Sequence, residues 1–368
     1  MKAVSIGALM LSCVVPVIET AHAQSTEPVR LAQSQQRSGI TPREQMREQM
    51  NENVLNLMGG QLGAVYIVIA HDISVAVNDG NSMRVLPVVG GAGVQNIRDV
   101  VFLRGVDLGV TNILSLNKLK ETGELGPNLD QQVAYIAPLF NETMQVVARP
   151  EINRIEDLRG KKVAVNSAGS ATAEFAPGVF KTLNIEVQAV PMPQGDALEK
   201  MLSGEVHATV CTCPIPIPAF ANVKATSGFK LLSIPYTPAL EKATYYPATI
   251  KASEYPNLVP PDGRVETIAT SAVLISFNWQ RGTVRYNRLA RFTDALFSKF
   301  DNLLQPARHP LWKTVNLAGT IPGWQRFPAA QEWLDTASLR AASKGQGKEE
   351  QAERLFKQFL EWQRTKGK

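Results

Sequence analysis

The chain has 368 residues, 44% of them hydrophobic and 19% charged, with 26 Gly, 23 Pro and three Cys. A chain of that length and ordinary apolar content is expected to form two domains, and the composition excludes disorder, collagen and coiled coil. The 38 basic and 33 acidic residues give a net charge of +5 with no dense cationic block, so the sequence makes no case for nucleic acid.

Lys2, the apolar run Ala3 to Val17 and the ending Ala21-His22-Ala23 have the layout of a secretory signal, with cleavage expected after Ala23. The run is shorter than the ~20 residues that a membrane-spanning helix needs. Cys13 leaves with it, as do one Lys and one Glu, so the net charge is unchanged. The periplasm is the expected location. Residues 24–41, rich in Gln, Ser and Arg, read as a flexible leader, and Thr41-Pro42 opens a short polar helix.

From Val54 onward a module repeats: a short apolar strand, a Gly or small polar loop, then a helix. Val54 to Met58 leads into Gly59-Gly60-Gln61-Leu62-Gly63, Met83 to Val89 into Gly90-Gly91-Ala92-Gly93, and Val106 to Val110 into Thr111-Asn112. The following helices are expected over 64–77, 94–103 and 113–121, although the β-branched run in the first could equally form a buried strand. A second block starts after Val146 to Arg149. It comprises strand Lys162 to Asn166, loop Ser167 to Ser170, helix Ala171 to Leu183, helix Asp196 to Leu202 and strand Val206 to Thr212. Pro214, Pro216 and Pro218 follow, then a strand near Phe229 to Ile234, returning strands over 265–278 and a long helix over 283–304. A Trp-rich loop from Trp312 to Phe327 and an amphipathic helix near 349–364 close the chain. Alternation of this kind argues for parallel α/β units whose loops face a ligand at the carboxyl ends of the strands.

A Gly/Ser loop that opens a helix presents free backbone N–H groups and a positive dipole end, suited to a carboxylate or phosphate. Ser167 and Ser170 could equally be ordinary N-caps. The glycines at 90–93 lack the third glycine of a dinucleotide fingerprint, and no Gly-Lys-Ser or Gly-Lys-Thr occurs. His71, His207 and His309 have no partnered nucleophile motif, and no Gly-x-Ser-x-Gly elbow or carboxylate pair is present. No catalytic residue, metal site or cofactor is therefore expected. Cys211 and Cys213, spaced i and i+2 at a strand end, read as thiols facing opposite ways, for which a bridge would be strained.

The segments Gly59 to Tyr66, Val94-Gln95-Asn96-Ile97-Arg98, Val106 to Val110, Ile155 to Val165 and Gly169-Ser170-Ala171-Thr172, in this order after an export signal, resemble the TAXI family of TRAP-transporter solute receptors. The likeness covers roughly residues 51–280. It implies an α/β, type II periplasmic binding protein fold of two lobes joined by a two-strand hinge. Lobe I would comprise 51–144 plus 241–330, lobe II 145–240, and 331–368 a C-terminal helical extension after a signal (1–23) and leader (24–50). The hinge strands would be Gln145 to Arg149 and Leu232 to Tyr236.

The resemblance also implies a small organic anion, amino acid or dicarboxylate-like, delivered to TRAP-type membrane permease subunits by a monomeric, non-enzymatic receptor. The cleft would be lined by Gly60, Gly63, Tyr66, Gln95, Thr111, Asn112, Ser167, Gly169, Ser170 and Thr172. Backbone amides at 169–172 and 92–95 would hold the anion, and Tyr66 would pack on the ligand body. Gly60, Val65, Ala171 and His207 depart from the family's usual residues, which bears on the ligand more than on the fold. The alternatives are a sensor subunit for a membrane signalling protein and a thiol-dependent periplasmic enzyme using Cys211 and Cys213.

Overall fold

The computed structural model describes residues 41–342 apart from 63, 81 and 82, together with 357 and 358. The expected signal, the leader up to residue 40 and, but for those last two residues, the helix at 349–364 lie outside the described residues.

Helix α1 (Pro42–Glu52) starts on Thr41, whose hydroxyl accepts the Glu44 N–H while the Glu44 carboxylate accepts the Thr41 N–H, a reciprocal capping box. The first block follows as β1 (Val54–Met58), α2 (Val65–Val77), β2 (Arg84–Val88), α3 (Gly93–Phe102), β3 (Leu108–Asn112), α4 (Ile113–Thr122) and α5 (Leu129–Gln132). Segment 64–77 is thus a helix. Its Ile69, Ala70, Ile73 and Val77 fall on one face at helical spacing and are all fully buried. Burying each large aliphatic gains roughly 1.5–3 kcal/mol, more than the few tenths of a kcal/mol that a β-branched residue costs a helix.

Strand β4 (Val133–Ala148) comes next, then β5 (Lys162–Ala164), α6 (Ala171–Thr182), β6 (Gln188–Val190), α7 (Gln194–Leu202), β7 (Ala208–Cys213) and α8 (Pro218–Ala221). The chain continues through β8 (Lys230–Leu231), α9 (Pro238–Lys242), β9 (Tyr246–Lys251), β10 (Arg264–Phe277), α10 (Val284–Ser298) and α11 (Pro328–Ala342). The returning strands expected over 265–278 are the single strand β10. The helix expected over 283–304 stops at Ser298, and Phe300–Leu304 tightens into a 3-10 turn.

The strands form one path, β2-β1-β3-β10-β4-β7-β5-β6, with β8 on β4 and β9 on β10. β1 pairs parallel with β2 and β3, and β5 pairs parallel with β6 and β7, so each block has its own parallel set. The long antiparallel pair β4 and β10 joins them. One half of β4 lies against β10 (Val133 to Thr143), and the other against β7 (Thr143 to Ala148). The sequence reading saw only the end of this strand, at Val146 to Arg149. Pro138 and Asn141-Glu142 interrupt its pattern, and the structure accommodates them at a bulge where Ser271 and Val273 oppose Asn141 and Pro138.

Two sets of apolar clusters lie on either side of this waist. Leu57, Ile73, Phe140, Phe292 and Trp312 share one cluster with the first block, and Val146, Phe180, Val210 and Ile234 share another with the second. Residues from 241 onward were expected in lobe I. Instead Tyr245 and Ile268 pack with the second block, and Ile250, Tyr255 and Val265 pack with Met201, Val206 and Phe220. β10 pairs with β9 at Arg264 to Ala269 and with β3 at Ala272 to Ser276. Among the described residues, no helix is long and apolar enough to cross a membrane.

Candidate functional site

The ends of β1, β2, β5 and β7 meet around one cavity of about 450 Å³, within the size range of small-molecule sites. The first block supplies Gln61, Ala64, Val65, Tyr66, Gly91 and Ala92. The second supplies Asn166, the start of α6 and the segment Thr212 to Ala219, while Glu142 on β4 and His309 complete the wall.

The loops are held from behind. Asn96 on α3 is fully buried, and its amide donates to the carbonyls of Gly59 (2.6 Å) and Val110 (2.7 Å) while its Oδ1 accepts the Ala92 N–H (3.1 Å). That grip holds Ala92 at φ 63°, a left-handed conformation costly for a residue with a Cβ. Gly59 is required for approach, because a Cβ there would lie 2.8 Å from the Ile67 Cα. Asp72 on α2, also buried, accepts the His309 N–H at 2.7 Å and the Trp312 indole N–H at 3.0 Å, which fixes His309 on the wall.

On the other side, Ser170 caps α6 by accepting the Ala173 N–H at 3.2 Å, and Thr172 Oγ1 accepts the Thr212 N–H at 2.9 Å. Helix geometry leaves the Ala171 and Thr172 amides without intrahelical partners. Gln145 on β4 donates to the Cys213 carbonyl (3.1 Å) and accepts from the Tyr255 hydroxyl (2.6 Å), which in turn accepts the Ile217 N–H (2.8 Å). This chain of bonds fixes the proline-rich wall.

Cys211 and Cys213 are joined in a disulfide, with Cα atoms 5.5 Å apart. The expectation of opposed thiols is corrected by the strand's own period: residues i and i+2 point to the same face of β7. No free thiol remains at this position.

The least satisfied part of the wall surrounds Glu142, which is 4% exposed. Burial pushes its carboxyl up to about 7, while Tyr66 and Asn112 act in the opposite direction as polar neighbours. Neither closes to full hydrogen-bond geometry. Glu142 Oε2, the Tyr66 hydroxyl and Asn112 Nδ2 are all sealed from solvent without a hydrogen-bond partner. Burial, and then the adjacent Glu142 charge, pushes Tyr66 well above its usual range. Burial likewise lowers His309, against the pull of Asp72.

Of the expected site residues, Tyr66, Ser170 and Thr172 are on the cavity wall. Asn112 is fully buried behind it, its Oδ1 capping α4 through the Ser115 N–H, and Thr111 bonds the Gly93 carbonyl from β3. Gly60 is buried next to Tyr66, whose Cβ would lie 3.1 Å from an added Cβ. Gly63 lies outside the described residues. Ser167 and Gly169 belong to the loop before α6 but not to the wall, and Gly169 is exposed. Gln95 points outward to Asp99 (2.7 Å), and its neighbour Asn96 takes the interior role. The sequence reading missed Glu142 because it missed the strand that carries it.

The two linked parallel sets, the antiparallel crossing pair and the cavity at the strand ends define a mixed α/β fold of the type II periplasmic binding kind. The chain belongs to the NMT1-like family, whose model matches residues 57–319. A comparison with curated proteins finds no match. Among solved structures, the chain is similar to the alkanesulfonate-binding protein SsuA from Xanthomonas axonopodis pv. citri, at 13% identity and a TM-score of 0.38, covering 78% of this chain and 92% of that one. It is also similar to a TctC solute binding protein from Polaromonas (15%, TM-score 0.41, 68% and 87%) and to a structure described as a periplasmic transporter (12%, 0.45, 82% and 94%).

Proposed function

We propose that the chain is an extracytoplasmic solute-binding receptor of the TAXI type. It captures a small organic acid between two lobes and delivers it to a TRAP-type secondary transporter in the periplasm, without itself catalysing a reaction. The observation that carries this reading is the cavity of about 450 Å³, whose wall is drawn from both blocks of the chain and includes the start of α6.

The anionic end of the solute is placed at the first turn of α6, where the amides of Ala171 and Thr172 and the helix dipole favour negative charge. In this reading the lobes divide at β4 and β10, and closure about these strands buries the solute. Calorimetric titration of the purified protein with a panel of carboxylates tests the function. Binding at micromolar levels, weakened by Ala171→Pro, which removes the Ala171 N–H at a position where the helix start tolerates proline, is the expected result. Absence of binding across the panel would refute it.

A further inference from the structure

The disulfide between Cys211 and Cys213 presents its two sulfurs to different surroundings. Cys213 is half-buried and lines the cavity. Cys211 is 5% exposed, does not line it, and belongs to the apolar cluster of Val147, Met201 and Phe220. The side-chain amide of Gln145, fully buried, donates to Cys213 Sγ at 3.2 Å and to the Cys213 and Pro214 carbonyls at 3.1 and 3.3 Å. Its orientation is fixed from the other end, because Gln145 Oε1 accepts the Tyr255 hydroxyl at 2.6 Å. One sulfur is therefore open to a molecule in the cavity and touched by a fixed N–H, while the other is shut in apolar surroundings.

We propose that Cys213 is a covalent exchange site for low-mass thiols, which enter the cavity and form a mixed disulfide with it. In the first step the sulfur of a thiolate RS⁻ bonds to Cys213 Sγ, the bond to Cys211 breaks, and its electron pair leaves on the Cys211 sulfur, which takes a proton from water. The products are RS–S–Cys213 and the Cys211 thiol, and the entering thiol is the only reductant consumed. The apolar surroundings of Cys211 raise the cost of charge on that sulfur. The step is accordingly slow, and the Cys211 thiol closes the pair again by displacing RS⁻ once free thiol is withdrawn. While thiol remains, a second RS⁻ attacks the outer sulfur, RS–SR departs, and Cys213 leaves as a thiolate to which the Gln145 amide donates. A cavity of about 450 Å³ admits a molecule of this class and shuts out a folded protein dithiol. Such exchange depends neither on the identity of the solute nor on the receptor reading above.

Single-cysteine variants test this with 2-hydroxyethyl disulfide as the probe and peptide mass as the readout. In Cys211→Ser, the Cys213 thiolate displaces one half of the probe and should acquire a 2-mercaptoethanol adduct at neutral pH. In Cys213→Ser, Cys211 should acquire it at least about tenfold more slowly, because exchange follows access and thiolate fraction. In the wild type, 2-mercaptoethanol should open the pair, trapped as carbamidomethyl groups on Cys211 and Cys213, whereas a reduced thioredoxin-type protein at equal thiol concentration should open it at least about tenfold more slowly. Ala219→Trp, which narrows the cavity, should slow 2-mercaptoethanol by a similar factor. Thermal unfolding shows whether each variant is folded, and the wild-type comparison of the two reductants needs none of them. Equal rates at the two single thiols, a Cys213 that stays unmodified in folded Cys211→Ser, a folded Ala219→Trp protein that reacts as the wild type does, or opening by the protein dithiol as fast as by 2-mercaptoethanol would overturn the inference.

Discussion

Replacing Glu142 by Gln should stabilise the ligand-free protein, and by an amount that depends on pH. The folded carboxyl titrates at about 7 against 4.5 for the unconstrained group, chiefly because the charged form is buried. Below pH 4.5 both states hold the proton and the folded state carries no penalty. As the pH rises from 4.5, the unfolded chain ionises while the folded chain retains its proton, so stability falls until the folded group also ionises near pH 7. Each unit of difference is worth ~1.4 kcal/mol, which makes the whole loss about 3 kcal/mol. Glutamine keeps the shape and cannot ionise. The variant should match the wild type near pH 4 and exceed it by up to about 3 kcal/mol at pH 8. Urea unfolding at a series of pH values, on protein stripped of solute by unfolding and refolding, measures this. His207 and His309, both lowered chiefly by burial, are present in the two proteins and cancel in the difference. A stability difference that does not change with pH, or a variant weaker than wild type at pH 8, would refute the description of Glu142 as a buried acid without a partner.

Other substitutions separate the residues that hold the loops from those that merely lie near them. Asn96→Ala removes the amide that joins the Gly59 and Val110 carbonyls and should cost about 2–4 kcal/mol in denaturant unfolding, whereas Gln95→Ala, one position away and exposed, should stay within about 0.5 kcal/mol. Ser170→Ala loses the cap on α6 and should cost about 1 kcal/mol by the same measurement. Iodoacetamide should label Cys211 and Cys213 only after reduction; labelling of either in the untreated protein, read by peptide mass, would contradict the pairing.

The sequence displayed the parallel units plainly because each is a short apolar strand followed by a glycine loop and an amphipathic helix. β1 occupies the span expected for it, and α6 begins where the Ser170 cap placed it. The crossing strands were harder to read. β4 carries a proline and a polar pair in mid-strand, features that belong to a bulge and a cavity wall and that resemble a break when only the sequence is seen. β10 was hard to read for the same reason, since its pairing with β9 is a long-range contact with no local signal.

Within the site, loop residues were legible through their capping chemistry. The choice between Gln95 and Asn96 depends on helical phase, which a run of polar residues does not reveal. Glu142 owes its properties to burial alone. One acidic residue among 33 has nothing in its neighbours along the chain to mark it.

Native mass spectrometry of the protein, purified without unfolding, tests the central claim most directly. The account predicts a noncovalent adduct of small-molecule mass that is lost on denaturation and is absent from Ala219→Trp, which fills the cavity from the second-block wall. A wild-type protein that carries no adduct and acquires none from the carboxylate panel, or an adduct that persists in the filled variant, would contradict it.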